Sequence, residues 1–383
     1  MIIKNGNIFT MAGEPLERGD ILIKDGKIKE VGVDLNYEEE EIINAEGKIV
    51  IPGMIDAHCH VGIFEENMRA EGSDGNEMTN PVTPELRAID GINPFDKSFE
   101  DAREGGITTV VTGPGSANVV GGQFVALKTY GISIDEMILK EPVAMKVAFG
   151  ENPKRVYREK GKTPMTRMAT AAILRETLLE TLNYIEKKKV AKEKGEFFEK
   201  KLKYESLIPV IEKKIPLKAH AHRADDILTA IRIAKEFDLK ITLDHCTEGH
   251  LIGEQIKRSG KDAIIGPTMT TNSKIELSNK TFKTPKELVN KGVKVAIMTD
   301  YPVIPIKYLP VCAALAMKEG LSFYESLKAI TINAAEIVGI DNRVGSIEKG
   351  KDADIVILSG SPFELSTKTL YTIIDGKVVY KEA

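Results

Sequence analysis

The sequence predicts an α/β protein: a (β/α)₈ barrel of the TIM type carrying a small β-sandwich domain built from both chain ends. Three observations predict it. Through the middle of the chain, short apolar runs alternate with helical stretches, which implies a parallel sheet covered by helices. About 250–300 residues follow that pattern, the size of such a barrel. Both ends of the chain instead carry hairpin signals. An open doubly wound sheet is the other arrangement of the same elements.

The terminal elements come first. Residues 20–24 and 27–31 alternate around Asp25-Gly26, and residues 370–374 and 377–380 flank Asp375-Gly376. Asp-Gly between alternating runs is a strong hairpin signal, because both central residues need φ > 0. Residues 354–358 add a strand. Residues 1–51 and 348–383 are therefore expected to form one composite β domain, with 52–347 inserted as the barrel. Expected barrel strands lie at 51–57, 108–112, 144–149, 217–221, 240–244, 263–265 and 293–298, with helices over 227–237 and 324–338. A helical insertion is expected at about 165–213. There Ala171, Leu174, Leu178, Leu182 and Ile185 recur at helical spacing and predict one buried face.

Composition narrows the function. With 383 residues and 42% hydrophobic content, the chain can bury a sizeable core. A net charge of -4 offers no basic field for nucleic acid, and the lysine-rich run at 187–194 is surrounded by acids. No run of about 18 apolar residues would span a membrane, and the first residues lack the pattern of a signal peptide. Three cysteines make no disulfide framework and fit a reducing cytoplasm. The expected partner is a small-molecule substrate, and a homo-oligomer is compatible with the sequence.

The six histidines fall in three groups: His58 and His60, His220 and His222, His245 and His250. Each group follows an apolar strand. Residues i and i+2 of a strand share a face, so each His-x-His pair points one way, and at the C-terminal mouth of a barrel that way can be inward. Imidazole is the commonest metal ligand. Three groups at three strand ends point to a shared metal. Asp300 ends the run 293–300 and would reach the same mouth, as a ligand and a proton acceptor. Cys59 and Cys246 adjoin these residues but should face away and pack as small hydrophobes. Arg223 and His250 stand near the mouth, where surface or structural roles are the simpler reading. Gly113-Pro114-Gly115-Ser116 and Gly121-Gly122 suggest loops, without the pattern of a phosphate loop.

Pro52-Gly53-Met54-Ile55-Asp56-Ala57-His58-Cys59-His60, Thr331-Ile332-Asn333-Ala334-Ala335 and Gly345-Ser346-Ile347-Glu348-Lys349-Gly350-Lys351-Asp352-Ala353-Asp354-Ile355-Val356 resemble the amidohydrolase superfamily, in its imidazolonepropionase-like and prolidase-like branch. The resemblance covers nearly the whole chain. It implies metal ligation by His58 and His60 from the first strand, His245 from the sixth and Asp300 from the eighth. On the fifth strand it implies His220, as in prolidase-like members, with His222 behind it or on the substrate; a deaminase-like pattern would use His222 with Asp225. On the fourth strand it implies a carbamylated Lys146 bridging two metals, with Glu151 as the alternative. Zinc is the expected ion, one or two per chain, with iron or manganese as alternatives. The expected activity is hydrolysis of an amide-type C–N bond in a cyclic amide, N-acyl or peptide-like small molecule. Asp300 would handle the proton, and His245 or His222 would stabilise charge on the carbonyl oxygen. A deaminase, or a non-catalytic scaffold of the same fold, is the other reading.

Overall fold

Both terminal hairpins form where the Asp-Gly turns place them, in a computed structural model that describes residues 1–37, 41–66 and 68–383. Strands β1 (Ile2–Ile8), β2 (Leu16–Lys24), β3 (Lys27–Val33), β4 (Ile42–Asn44) and β5 (Ile49–Pro52) come from one end of the chain. A second set follows: β6 (Met54–Cys59), β7 (Ile107–Thr112), β8 (Val120–Lys128), β9 (Ile138–Ala148), β10 (Leu217–Ala221), β11 (Ile241–His245), β12 (Ala263–Ile265) and β13 (Val295–Ile297). The other end supplies β14 (Ile355–Leu358), β15 (Thr369–Ile374) and β16 (Lys377–Lys381). Asp25 and Gly26 have φ of 52° and 74°, Asp375 and Gly376 of 48° and 72°. Paired left-handed residues of this kind match the right-handed twist of the flanking strands.

The terminal strands make one hydrogen-bonded sheet in the order β16-β15-β14-β5-β1-β2-β3, with β4 also paired to β1. The antiparallel pair β14–β5, with Ile355 opposite Pro52, joins the two ends of the chain. Ile3, Ile8, Ile21, Ile28, Val50, Ile355 and Ile373 bury their side chains together beneath it.

The second set forms an eight-stranded sheet in the order β13-β12-β11-β10-β9-β8-β7-β6. It curls until its ends nearly meet. Thr299 donates to Asp56 Oδ2 from its backbone N–H at 3.0 Å and from its hydroxyl at 2.5 Å, and the His60 N–H donates to the Tyr301 carbonyl at 2.9 Å. The expected all-parallel ring is corrected at one strand, since β8 runs antiparallel to both β7 and β9. Only residues 113–119 separate β7 from β8. A parallel return needs a crossover of about a dozen residues, so so short a connection turns the chain back on itself.

Three local expectations also shift. The run at 51–57 divides at Gly53, where the chain passes from the terminal sheet into the barrel sheet; a Cβ there would lie 2.0 Å from Thr108 Oγ1. The helix expected at 324–338 breaks into Phe323–Ala329 and Ile332–Val338, because the Ile330 carbonyl accepts from the Ile55 N–H at 2.8 Å. The inserted helix forms as Arg167–Lys194, capped by the Thr166 hydroxyl and by left-handed Gly195. Its buried stripe holds Ala171, Leu174 and Leu178 but then passes to Thr181 and Tyr184, leaving Leu182 exposed. Among the described residues, no helix is long and apolar enough to cross a membrane.

Candidate metal centre

The C-terminal ends of the barrel strands carry the imidazoles. His58 lies in β6 and His60 just beyond it; His220 and His222 lie at the end of β10; His245 closes β11. Asp300 follows β13. Backbone geometry helps to aim two of these groups: His245 and Asp300 have φ of 69° and 54°. Non-glycine residues pay about 1–3 kcal/mol for that region, which the surrounding structure must supply. At His245 it breaks the strand's alternation, so that Asp244 and His245 both turn toward other site groups.

Hydrogen bonds orient the rings. His58 Nδ1 meets Asp244 Oδ2, His60 Nδ1 meets the Gly113 carbonyl at 2.6 Å, and His245 Nδ1 meets the Gly266 carbonyl at 2.9 Å. Each anchor is an acceptor, so Nδ1 carries the proton and Nε2 presents its lone pair. His58 Nε2 and His60 Nε2 lie 3.6 and 3.4 Å from Asp300 Oδ1. His222 Nδ1 contacts Thr247 Oγ1 at 2.8 Å, and His220 Nε2 faces the Asn152 amide nitrogen at 3.4 Å.

Two clusters result. Ligand-type atoms of His58, His60 and Asp300 lie within 4.8 Å of one another, as do those of His220, His222 and His245. The clusters adjoin, with the His58 and His245 rings 5.2 Å apart. Between them Lys146 Nζ sits 3.1 Å from His58 Nε2, and burial lowers its pKa to about 8. Gly121 makes room for it, since a Cβ there would come within 3.3 Å of Lys146 Cγ. Thus Gly121 and Gly122 belong to β8 and not to a loop.

The donor set fits a divalent metal. Burial first, then neighbouring imidazoles and lysines, Lys146 among them, hold the His58, His220, His222 and His245 imidazoles well below their usual pKa, so they are neutral with free lone pairs. His245 Nε2 and His220 Nδ1 are buried without a protein partner, a costly state that a bound cation would relieve. His60, Lys146, His220, His222, His245 and Asp300 line one cavity of about 310 Å³. A separate cavity of about 360 Å³ beside Met54 and Phe363 contains no histidine.

Other expected candidates lie elsewhere. Asp225 is tied to Arg223 at 3.0 Å, and the Glu151 N–H donates to Glu276 Oε2 at 2.9 Å; neither the Asp225 nor the Glu151 side chain lines the imidazole cavity. His250 faces Thr284 Oγ1 at 3.0 Å. Cys59 and Cys246 are buried in apolar clusters, and burial raises their thiol pKa, for Cys246 to about 12.

Several residues around the centre escape the sequence reading. Phe124 from β8 packs 5.3 Å from the His58 ring. Asn152 and Lys274 line the cavity, and Glu276 is a buried carboxylate with Oε1 3.6 Å from His222 Nε2. Lys218 and Asp244 pair inside the barrel at 2.8 Å. The signal for Lys218 was available: it shares strand parity with His220 and His222.

A barrel sheet with imidazoles and a carboxylate gathered at one mouth defines the class of metal-dependent hydrolases, and comparisons with known proteins agree. A model of the amidohydrolase family matches residues 214–380. The structure superposes on that of an amidohydrolase from Thermotoga maritima with a TM-score of 0.97 and 44% identity, over 100% of both chains. Imidazolonepropionase from Clostridium tetani is 27% identical over 96% of this chain and 92% of its own length. Amidohydrolase tasK from Hapsidospora irregularis is 26% identical over 95% of this chain, which spans only 40% of that longer protein. The chain belongs to the amidohydrolase superfamily and is a hydrolase acting on C–N bonds.

Proposed function

We propose that the chain hydrolyses an amide-type C–N bond in a cyclic amide, N-acyl or peptide-like small molecule, using zinc held at the barrel mouth. The observation that carries this reading is the convergence of neutral imidazoles and Asp300 on one cavity of about 310 Å³, room for a small substrate. His58, His60 and Asp300 would hold one ion, and His220 and His245 a second, with His222 beside them. Lys146 is suited to carbamylation and bridging, being buried and, among the described residues, without a carboxylate in ion-pair range. Iron or manganese would suit the same donors. When bound, the ion supplies Lewis acidity, making water a stronger acid and polarising the scissile carbonyl. Asp300 takes the proton of the attacking water and returns it to the departing nitrogen. His222, which stands beside the second ion without being assigned to it, would stabilise the charge that develops on the carbonyl oxygen. In this reading residues 52–347 form the catalytic barrel, and residues 1–51 with 348–383 form a β-sandwich domain that braces it.

The test is Asp300→Asn, with turnover measured on the best substrate among cyclic amides, N-acyl compounds and dipeptides. The expected result is a kcat lower by about 10²–10⁴-fold with metal retained. Undiminished turnover in the variant contradicts the assignment.

A further inference from the structure

Beside the imidazoles, the barrel interior buries a second set of charged groups to which the proposed reaction assigns no task. Asp244 and Lys218 are both buried. They stand on neighbouring strands, β11 and β10, while His58 stands on β6. In the sheet order β6 is not adjacent to either strand, so the contact between His58 and Asp244 crosses the barrel interior.

Every polar atom of this set has a partner. Asp244 Oδ1 accepts from the Thr242 hydroxyl at 2.7 Å. Asp244 Oδ2 takes both His58 Nδ1 and the Lys218 ammonium, the latter at 2.8 Å. Lys218 Nζ also donates to the Ala57 carbonyl at 2.8 Å, one residue before His58. A buried ion pair contributes little net stability, since desolvation offsets the attraction. Its yield is orientation. The other rings anchored through Nδ1 rest on neutral groups: His60 and His245 on the Gly113 and Gly266 carbonyls, His222 and His250 on the Thr247 and Thr284 hydroxyls. Among the described residues only His58 rests its Nδ1 on a carboxylate, and that carboxylate is itself held by an ammonium and a hydroxyl.

We propose that Asp244 and Lys218 are positioning residues: they lock His58 as its Nδ1–H tautomer and fix its ring, so that Nε2 faces the metal. Lys218 ties Asp244 to the backbone of β6 through the Ala57 carbonyl, so the carboxylate and the ring it holds share one frame. Carboxylates behind metal-bound imidazoles typically change metal affinity by about 10–100-fold when removed. The proposal rests on the metal-binding reading of the site, but the tautomer can be measured without metal.

The experiment uses the metal-free full chain, with ¹⁵N-labelled histidine and NMR reading of the His58 ring nitrogens. The wild type should show a protonated Nδ1 and a bare Nε2. The paired variant Lys218→Met with Asp244→Leu removes both charges together, leaving no lone buried ion. It should show a mixed or reversed tautomer and bind zinc about 10–100-fold more weakly in competition with a chelator. An Nε2–H tautomer in the wild type overturns the proposal, even if the variant does not fold. So does a folded variant with an unchanged tautomer and zinc affinity within about twofold of wild type. A wild-type chain that shows the Nδ1–H tautomer yet binds no zinc defeats the metal reading and, with it, the purpose assigned to the pair.

Discussion

The carbonyl that anchors His245 Nδ1 belongs to Gly266, whose φ is 144° and where a Cβ would lie 2.5 Å from the Met298 carbonyl oxygen. Gly266→Ala must therefore move either the strand end or the anchor. The variant should lose about 1–3 kcal/mol of stability and hold zinc less tightly. Thermal unfolding with a zinc competition assay checks this; wild-type values in both contradict it. At this scale the histidines were legible because the six imidazoles in 383 residues fall into three groups, five of them at or just past a strand end. Asp244, Asn152 and Glu276 were not, and Lys218 offered only its strand parity with His220 and His222. A strand lysine or a loop glutamate reads as a surface group until tertiary packing encloses it.

Strand β8 brings two residues to bear on the account: Phe124 against His58, and Lys128 at its far end. Lys128 Nζ lies 3.0 Å from Asp352, 2.6 Å from Asp354 and 3.4 Å from Asp375. The barrel sheet and the terminal sheet thus meet over a buried charge cluster, which Lys27 and Arg343 join at Asp352. Lys128→Met leaves the buried Asp354 carboxylate unpaired and should cost about 3–5 kcal/mol. Burial pushes the Asp352 carboxyl up, but Lys128, Lys27 and Arg343 outweigh it and hold its pKa below the usual 3.8. A depressed folded pKa gives stability that is present above the unfolded value and lost as pH falls through the folded one. The Tm gap between wild type and variant should accordingly be full near neutral pH and narrow as pH falls, first as Asp354, whose pKa burial holds above the usual value, takes up a proton and last as Asp352 does, below its usual 3.8. A gap that stays constant into acid contradicts this. Most elements were legible from apolar runs and turn chemistry. The direction of β8 was not, since an apolar run reads alike either way; only the short 113–119 connection signals the reversal.

Across the whole molecule, the proposed centre gathers residues from β6, β9, β10 and β11 and from the turn after β13. The barrel sheet brings them together because every parallel strand delivers its C-terminal end to the same side. The alternation of elements made that architecture legible, and the superfamily motifs ordered the groups around it. What the sequence left open, the choice among His220, His222, Lys146 and Glu151, depends on which side chains face the shared cavity, and there Lys146 and both histidines stand while Glu151 does not. The central claim is that these imidazoles and Asp300 bind metal together. Zinc content per chain, measured after supplementation and dialysis for the wild type, His60→Ala and His245→Ala, tests it most directly. The account predicts at least about one equivalent in the wild type and a clear fall in both variants. A wild-type chain holding less than about half an equivalent, or variants that bind as much as the wild type, would contradict it.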